Sequence, residues 1–266
     1  MIALYRKVFG IGLQDTFVYR WNFLLRSLFS IIPLYATVLV WQSVCETNGK
    51  VHDYTFSAMV FYFVGILIVE NLASPTEDEW RIAAEIRDGH ISSILVKPLN
   101  YLSYRLSLFV SYRLLYTVIT LPVIAGVLWF LREHLQWPTH NATWLLFFLS
   151  VAGSALIQFF IAYSLAMLAF WILEVSTLIF ILYSFEYFFS GHVFPIDLLS
   201  PAVQAIIKWT PFPYELFFPV QILLERLPND ALFQGFCHQT LWVCLTAALA
   251  NFLWKRGVRH YQAAGG

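Results

Sequence analysis

Charge is what this sequence has least of. Asp, Glu, Lys and Arg supply 12% of its 266 residues, against roughly 25% in an average soluble domain, and a soluble fold so composed would lack the polar surface to cover itself. Acids and bases balance at 16 each, so nothing points to nucleic acid and the basic residues must be read by position. Cysteine is nearly as scarce. Cys45, Cys237 and Cys244 include no CxxC pair and no His at ligand spacing, so neither a disulfide framework nor a metal site is indicated. The opening MIALYRKVFGIGLQDTFVYRW spreads its charges and lacks a short apolar stretch with a small-residue cleavage motif, which excludes a signal peptide there. No G-x-x-x-x-G-K-[ST] occurs, and the only Gly-Lys pair, Gly49-Lys50, lacks the preceding glycine. The chain does not bind nucleotide in that way, and no cofactor of its own is expected.

What the sequence has in abundance is apolar residues, at 59%, with aromatics at 18%. Runs long enough to cross a bilayer cover about 28–44, 56–69, 106–131, 144–173, 175–189 and 240–254. An all-α integral membrane protein with roughly six transmembrane helices follows. Only Glu174 separates the fourth and fifth runs, which read as one hairpin with a tight turn. An even number of crossings puts both termini on one side. There Arg6, Lys7, Arg20, Arg26, Arg81, Arg87, Lys97, Arg105, Lys255, Arg256 and Arg259 fall together, against Lys50, Arg132, Lys208 and Arg226 opposite. That excess marks the first side, with both termini, as cytoplasmic.

Three stretches lie outside the runs. Residues 1–26 interleave Leu4, Val8, Ile11 and Phe17 with Arg6, Lys7, Gln14 and Asp15, as in a helix lying in the membrane interface, although Gly10 and Gly12 work against it. Residues 74–103 contain SPTEDEWRIAAEIRDGH, with a Ser-Pro-Thr start, acids in the first turn and a stop at Gly89: a short capped cytoplasmic helix. Residues 190–238 scatter prolines among aromatics and aliphatics. They are too apolar for a solvated loop and too broken to span, so re-entrant helices dipping into the outer leaflet are expected.

Ionisable groups in or beside the runs are Glu70, Arg113, Glu174, Glu186 and, at the outer edge, His192. Charge at bilayer depth is costly and a functional role is its default reading. Glu70 and Glu174 fall at cytoplasmic ends where water reaches them, and the long Arg113 stem can snorkel. Glu186, about one turn from the outer end of the fifth run, is the best candidate for a buried carboxylate. Asn141-Ala142-Thr143 matches a glycosylation sequon, a pattern common by chance.

The loop segment AAEIRDGHISSILVKPLNYLSYRL, through Glu85, Ile86, Gly89, Ile91, Leu95, Lys97, Pro98 and Leu99, resembles the E-I-x-x-G-x-I-x-x-x-L-x-K/R-P-L stretch of ABC-2 type exporter permeases. A later segment resembles the same family's outer segment through Phe188, Gly191, Pro195, Pro211, Phe212, Pro219, Ile222 and Leu223. The chain departs from the pattern at Ser200-Pro201, where Leu-Pro is usual, and at Glu225-Arg226, where a glycine is common. The resemblance implies a single transmembrane domain over 1–266 that pairs with a second permease, itself or a sister, in the inner (plasma) membrane, and stands on two separate ATP-binding subunits that bind and hydrolyse ATP. It implies that the loop helix is the coupling helix, contacting the ATPase through Glu77, Glu79, Arg81, Glu85, Arg87, Asp88 and Gly89. It further implies that the outer proline-rich segment is the exit gate, with Gly191, Phe194, Pro195, Pro211 and Phe212 expected to form it beside Glu186; Glu186 and the intramembrane charge Arg113 are read from their places in the apolar runs. The expected function is outward movement of a hydrophobic or amphipathic molecule by a permease that is not itself an enzyme. The alternative is an ion-coupled transporter using Glu186 and Arg113, and a membrane enzyme built on His192 and Glu186 ranks below both.

Overall fold

A bilayer offers no water to satisfy backbone N–H and C=O groups, so an apolar chain must bond them internally. The computed structural model, which describes residues 2–75 and 78–261, does so with helices, and no β-strand occurs among the described residues. In chain order these are α1 (Ile2–Val18), α2 (Arg20–Phe29), α3 (Ile31–Asn48), α4 (Phe56–Ala73), α5 (Asp78–Arg87), α6 (Ser92–Leu95) and α7 (Tyr101–Phe130). They are followed by α8 (Asn141–Met167), α9 (Ser176–Phe189), α10 (Pro201–Ile207), α11 (Phe217–Leu223) and α12 (Asn229–His260). Starts are set by side chains written in the sequence. The Thr55 hydroxyl accepts from the Ala58 N–H at 3.3 Å at the head of α4, and Asn100 accepts from Ser103 N–H at 2.9 Å at the head of α7, each satisfying one orphan donor. The tight turn expected at Glu174 is present, its carboxylate accepting from Ser176 N–H at 3.0 Å ahead of α9.

Five helical stretches, those holding α3, α4, α7, α8 and α12, are long and apolar enough to cross a membrane. The sixth expected crossing is α9, and its 14 residues extend only about 21 Å at 1.5 Å each, short of a hydrocarbon core of roughly 30 Å. The last span is longer than expected. α12 starts at Asn229, so the irregular stretch ends near 228 rather than 238. Past its polar first turns, the buried Gln239 ties α12 to its neighbours by donating to the carbonyls of Ser150 and Tyr214 at 2.9 and 3.0 Å.

Apolar packing alone drives helices together weakly in lipid, where the competing solvent is equally apolar, so small residues and internal hydrogen bonds carry association. α8 and α12 pack along much of their lengths. Gly153 faces Gln239, and Gly257 faces the Phe170 ring so closely that a Cβ would overlap it. α1 and α2 both pack on α7, with Gly12 against Ser111 and Leu108. The glycine that counted against a helix is therefore what lets α1 sit on its neighbour. Three apolar cores result among the described residues, the smallest around Val38, Val60 and Val64. Of the two larger ones, one joins Tyr62, Ile66, Phe147, Phe218 and Val220, and the other joins Ile82, Ile86, Ile91, Tyr163 and Met167. Large apolar side chains of α3, α7, α9 and α12, among them Ile32, Leu114, Phe180 and Leu241, face outward. This is the reverse of a water-soluble surface.

Candidate functional site

The site is assembled around α9, which has few neighbours and meets polar side chains at three levels. Near its middle, Tyr183 lies beside Glu79 of α5. One turn on, Glu186 lies beside the fully buried Glu215, whose two carboxyl oxygens have no hydrogen-bond partner among the described residues. Beyond the helix end, His192 Nδ1 lies 2.8 Å from Oε1 of Glu70 on α4, with its ring 4.2 Å from that of Tyr187. His192 thus pairs with Glu70, not with Glu186. Glu70 sits within a turn of the end of α4, whose last carbonyls are covered from α7. Arg113 donates to the carbonyls of Asn71 at 3.0 Å and Glu70 at 3.4 Å, and Thr117 donates to that of Asn71 at 3.1 Å. A guanidinium on the carbonyl end of a helix is favourably placed in its dipole, so Arg113 turns inward to cap α4 instead of snorkelling. Glu70, Glu79, Glu186, Arg26, Trp80, Tyr183 and Gln158 line a cleft of about 620 Å³ beside α9.

Glu215 marks the deepest point of an excursion between α9 and α12. The chain leaves α9 through Gly191, at φ +90°, passes α10, and returns to the bundle where the Ser154 hydroxyl of α8 donates to the Glu215 carbonyl. It then climbs as α11, with Val220 against Gly65 of α4. The expected re-entrant segment is therefore folded back against the mid-portions of α4 and α8. Gly191 is required there: its carbonyl accepts from the Tyr62 hydroxyl at 2.6 Å, and a Cβ would stand 2.5 Å from that oxygen. Pro195 is buried and Phe194 half-buried, while Pro211 and Phe212 form the turn that leads down to Glu215.

At the other end, α5 stops at Gly89 with φ +76°, where Ile91 N–H donates to Glu85 C=O at 3.0 Å, a glycine-closed helix end. Ile86 and Ile91 on either side are buried in the second core. The Tyr101 hydroxyl donates to Glu85 Oε2 at 2.9 Å, Arg105 Nε donates to the Tyr101 oxygen at 3.0 Å, and Arg105 forms an ion pair with Glu85. This triad fastens α5 to α7. Arg81 lies over the Tyr112 ring at 4.7 Å. Of the seven residues expected to form one contact face, Arg81, Arg87 and Asp88 are exposed, whereas Glu79 is buried and Glu85 is turned onto Arg105. Glu77 lies outside the described residues. Sequence reading missed Glu215, Tyr183, Tyr101 and the internal role of Arg105. For Glu215 the only available signal was an acid inside the apolar PFPYELFFPV stretch.

Five helical stretches of spanning length and apolarity are the mark of a multi-pass membrane protein. Residues 31–265 match the model of the ABC-2 family transporter proteins. The chain belongs to that family, whose members are transporter permeases. Membership implies association with the membrane and with ABC ATP-binding subunits. No curated protein matches the chain.

Proposed function

We propose that this chain is the membrane half of an ATP-driven exporter in the inner (plasma) membrane. In this reading α9 completes six crossings, both termini are cytoplasmic, and a hydrophobic or amphipathic molecule moves outward. ATP is bound and hydrolysed by two separate subunits docked beneath α5, on the exposed Arg81, Arg87 and Asp88. A second permease covers the apolar face of α9, where Phe180, Phe185 and Phe188 stand exposed.

The observation that carries the reading is the continuity of polar contacts from α5 to the re-entrant segment. A displacement of α5 pulls on α7 through Glu85 and Arg105, and on α9 through Glu79 and Tyr183. From α9 it passes through His192 to Glu70, and Glu186 brings it up against Glu215. Such joints have discrete made and broken states, which is what two alternative packings of a permease need. α1, lying on α7, follows the same displacement, and its setting in the interface is part of this proposal.

The test separates docking from transmission. The chain is co-expressed with a candidate ATP-binding subunit and purified in lipid. Arg81→Ala with Arg87→Ala is expected to release the ATPase. Tyr183→Phe, which removes only a hydroxyl, is expected to keep the complex and its ATP hydrolysis while transport falls several-fold. Transport by the chain alone, without any ATPase, would overturn the proposal and favour the ion-coupled reading.

A further inference from the structure

The last helix makes specific contacts at both ends of the bundle. α12 runs unbroken for 32 residues, about 48 Å at 1.5 Å per residue, whereas α9 stops after 14 and gives way at Gly191. Just past its C-terminal end, the Tyr261 hydroxyl lies 2.8 Å from that of Ser92 and donates to the Gly89 carbonyl at 3.4 Å. Gly89 closes α5 and Ser92 opens α6, so one phenol holds the turn between them. Two turns earlier, the Trp254 indole is stacked on the Tyr101 ring, with centroids 4.6 Å apart and planes at 17°. Tyr101 is the residue that donates to Glu85, so the last turns of α12 hold α5 at two points.

Nearer its start, α12 meets the re-entrant segment. Phe218 packs on Gly235 so closely that a Cβ there would overlap its ring. The His238 and Tyr214 rings are stacked, with planes at 2° and centroids 5.7 Å apart. Gln239 donates to the carbonyl of Tyr214, the residue before Glu215. Tyr261 lies about 33 Å beyond Gln239 along the helix axis. Sharp kinks arise at proline, at glycine and serine pairs or where a group inserts into the backbone ladder. Between Gln239 and Tyr261 the sequence has no proline, no serine and a single glycine, Gly257. Two contacts fixed to such a helix move together.

We propose that Tyr261 and Gln239 are positioning residues, the two fixed ends of a strut by which α12 ties the α5–α6 turn to Tyr214 and Glu215. A displacement of α5 then reaches the re-entrant segment by a route separate from α9. The proposal rests on the reading of α5 as the docking helix only for what drives the displacement; the strut is a property of this chain.

The test is hydrogen–deuterium exchange of the full chain in phosphatidylcholine nanodiscs, with neither ATPase nor nucleotide, so the fate of the ATP-driven reading does not decide it. Tyr261→Phe removes one hydroxyl and keeps the ring against Phe170. It should speed exchange over 89–95, where the bond is lost, and also over 210–217, by roughly two- to thirtyfold, while 56–73 stays unchanged. Coupling between two sites is reciprocal, so Gln239→Met should speed exchange over 89–95 by a similar factor. Ala248→Gly with Leu249→Gly, at exposed positions between the two contacts, softens the strut. In that background Tyr261→Phe should speed exchange over 89–95 alone. Faster exchange confined to 89–95 in Tyr261→Phe by itself would make the bond a local one and overturn the proposal. A rise that includes 56–73 would mean a general loss of stability and overturn it as well. Should Gln239→Met fail to fold, Tyr261→Phe with and without the glycine pair still decides between these outcomes.

Discussion

Glu225 stands at φ +53°, a left-handed conformation that glycine adopts freely and other residues adopt under strain. Its carboxylate accepts from the Thr143 hydroxyl at 2.7 Å, and from Thr139 and the His140 N–H at 3.4 Å each, so side-chain bonds offset backbone strain. The third residue of the apparent glycosylation sequon is thereby engaged in tying α8 to the end of α11. Glu225→Ala keeps the strain and loses the bonds, whereas Glu225→Gly loses both. The alanine variant should therefore melt at the lower temperature in detergent. The Thr143 hydroxyl chiefly, with the His140 N–H, draws the Glu225 carboxyl from 4.5 down to about 2. A carboxyl depressed in the folded state contributes fully above its unfolded value and loses that contribution as the pH falls through the folded one. The difference in melting temperature between wild type and Glu225→Gln should hold above about pH 4.5 and shrink towards pH 2. Glu85 and Arg105 give a second contrast, because Arg105 is only 4% exposed and Glu85 is 29% exposed. Glu85→Ala strands a buried guanidinium and should cost about 3 kcal/mol. Arg105→Met leaves a carboxylate that reaches water and should cost less, by denaturant unfolding. Sequence reading placed both on a cytoplasmic surface. The flanking-charge rule reports the side of the membrane on which a residue lies, and says nothing of which way it faces.

Among the elements, those with a self-contained signal were legible. Spans α4, α7 and α8 follow from apolar length, α5 from its acidic first turn and terminal glycine, and the α8–α9 turn from one charged residue between two apolar runs. The excursion from α9 to α11 was legible only as a type. Its prolines break any periodicity, so nothing in the sequence says that Glu215 meets Glu186 or that Gly191 meets Tyr62, 129 residues away. The pairing of His192 with Glu70 is hidden in the same way, by separation along the chain. The Gly191–Tyr62 contact can be tested as a unit. Gly191→Ala brings a methyl group onto the Tyr62 oxygen at a positive φ, and should lower the melting temperature markedly. Adding Tyr62→Phe removes the oxygen but not the backbone strain, so recovery should be partial. Full recovery would mean that φ carries no cost there.

For the whole molecule, the sign of the topology is the property most open to measurement. In a background without Cys45, Cys237 and Cys244, a cysteine at the exposed Ser200 should react with an impermeant maleimide in intact cells. One at the exposed Ser93 should react only after the membrane is opened. The reverse pattern would invert the orientation read from Lys and Arg. One dimension of the molecule bears on its surroundings. α9 extends about 21 Å and then breaks at Gly191, so beside it the protein presents less apolar height than its other spans do. Lipid next to that helix must shorten by up to roughly 9 Å, or water must enter over Ser190 and His192, at a cost of fractions of a kcal/mol for each ångström of mismatch. Acyl-chain length therefore acts on this permease as an external variable: thin bilayers relieve the short helix, and thick ones press on it.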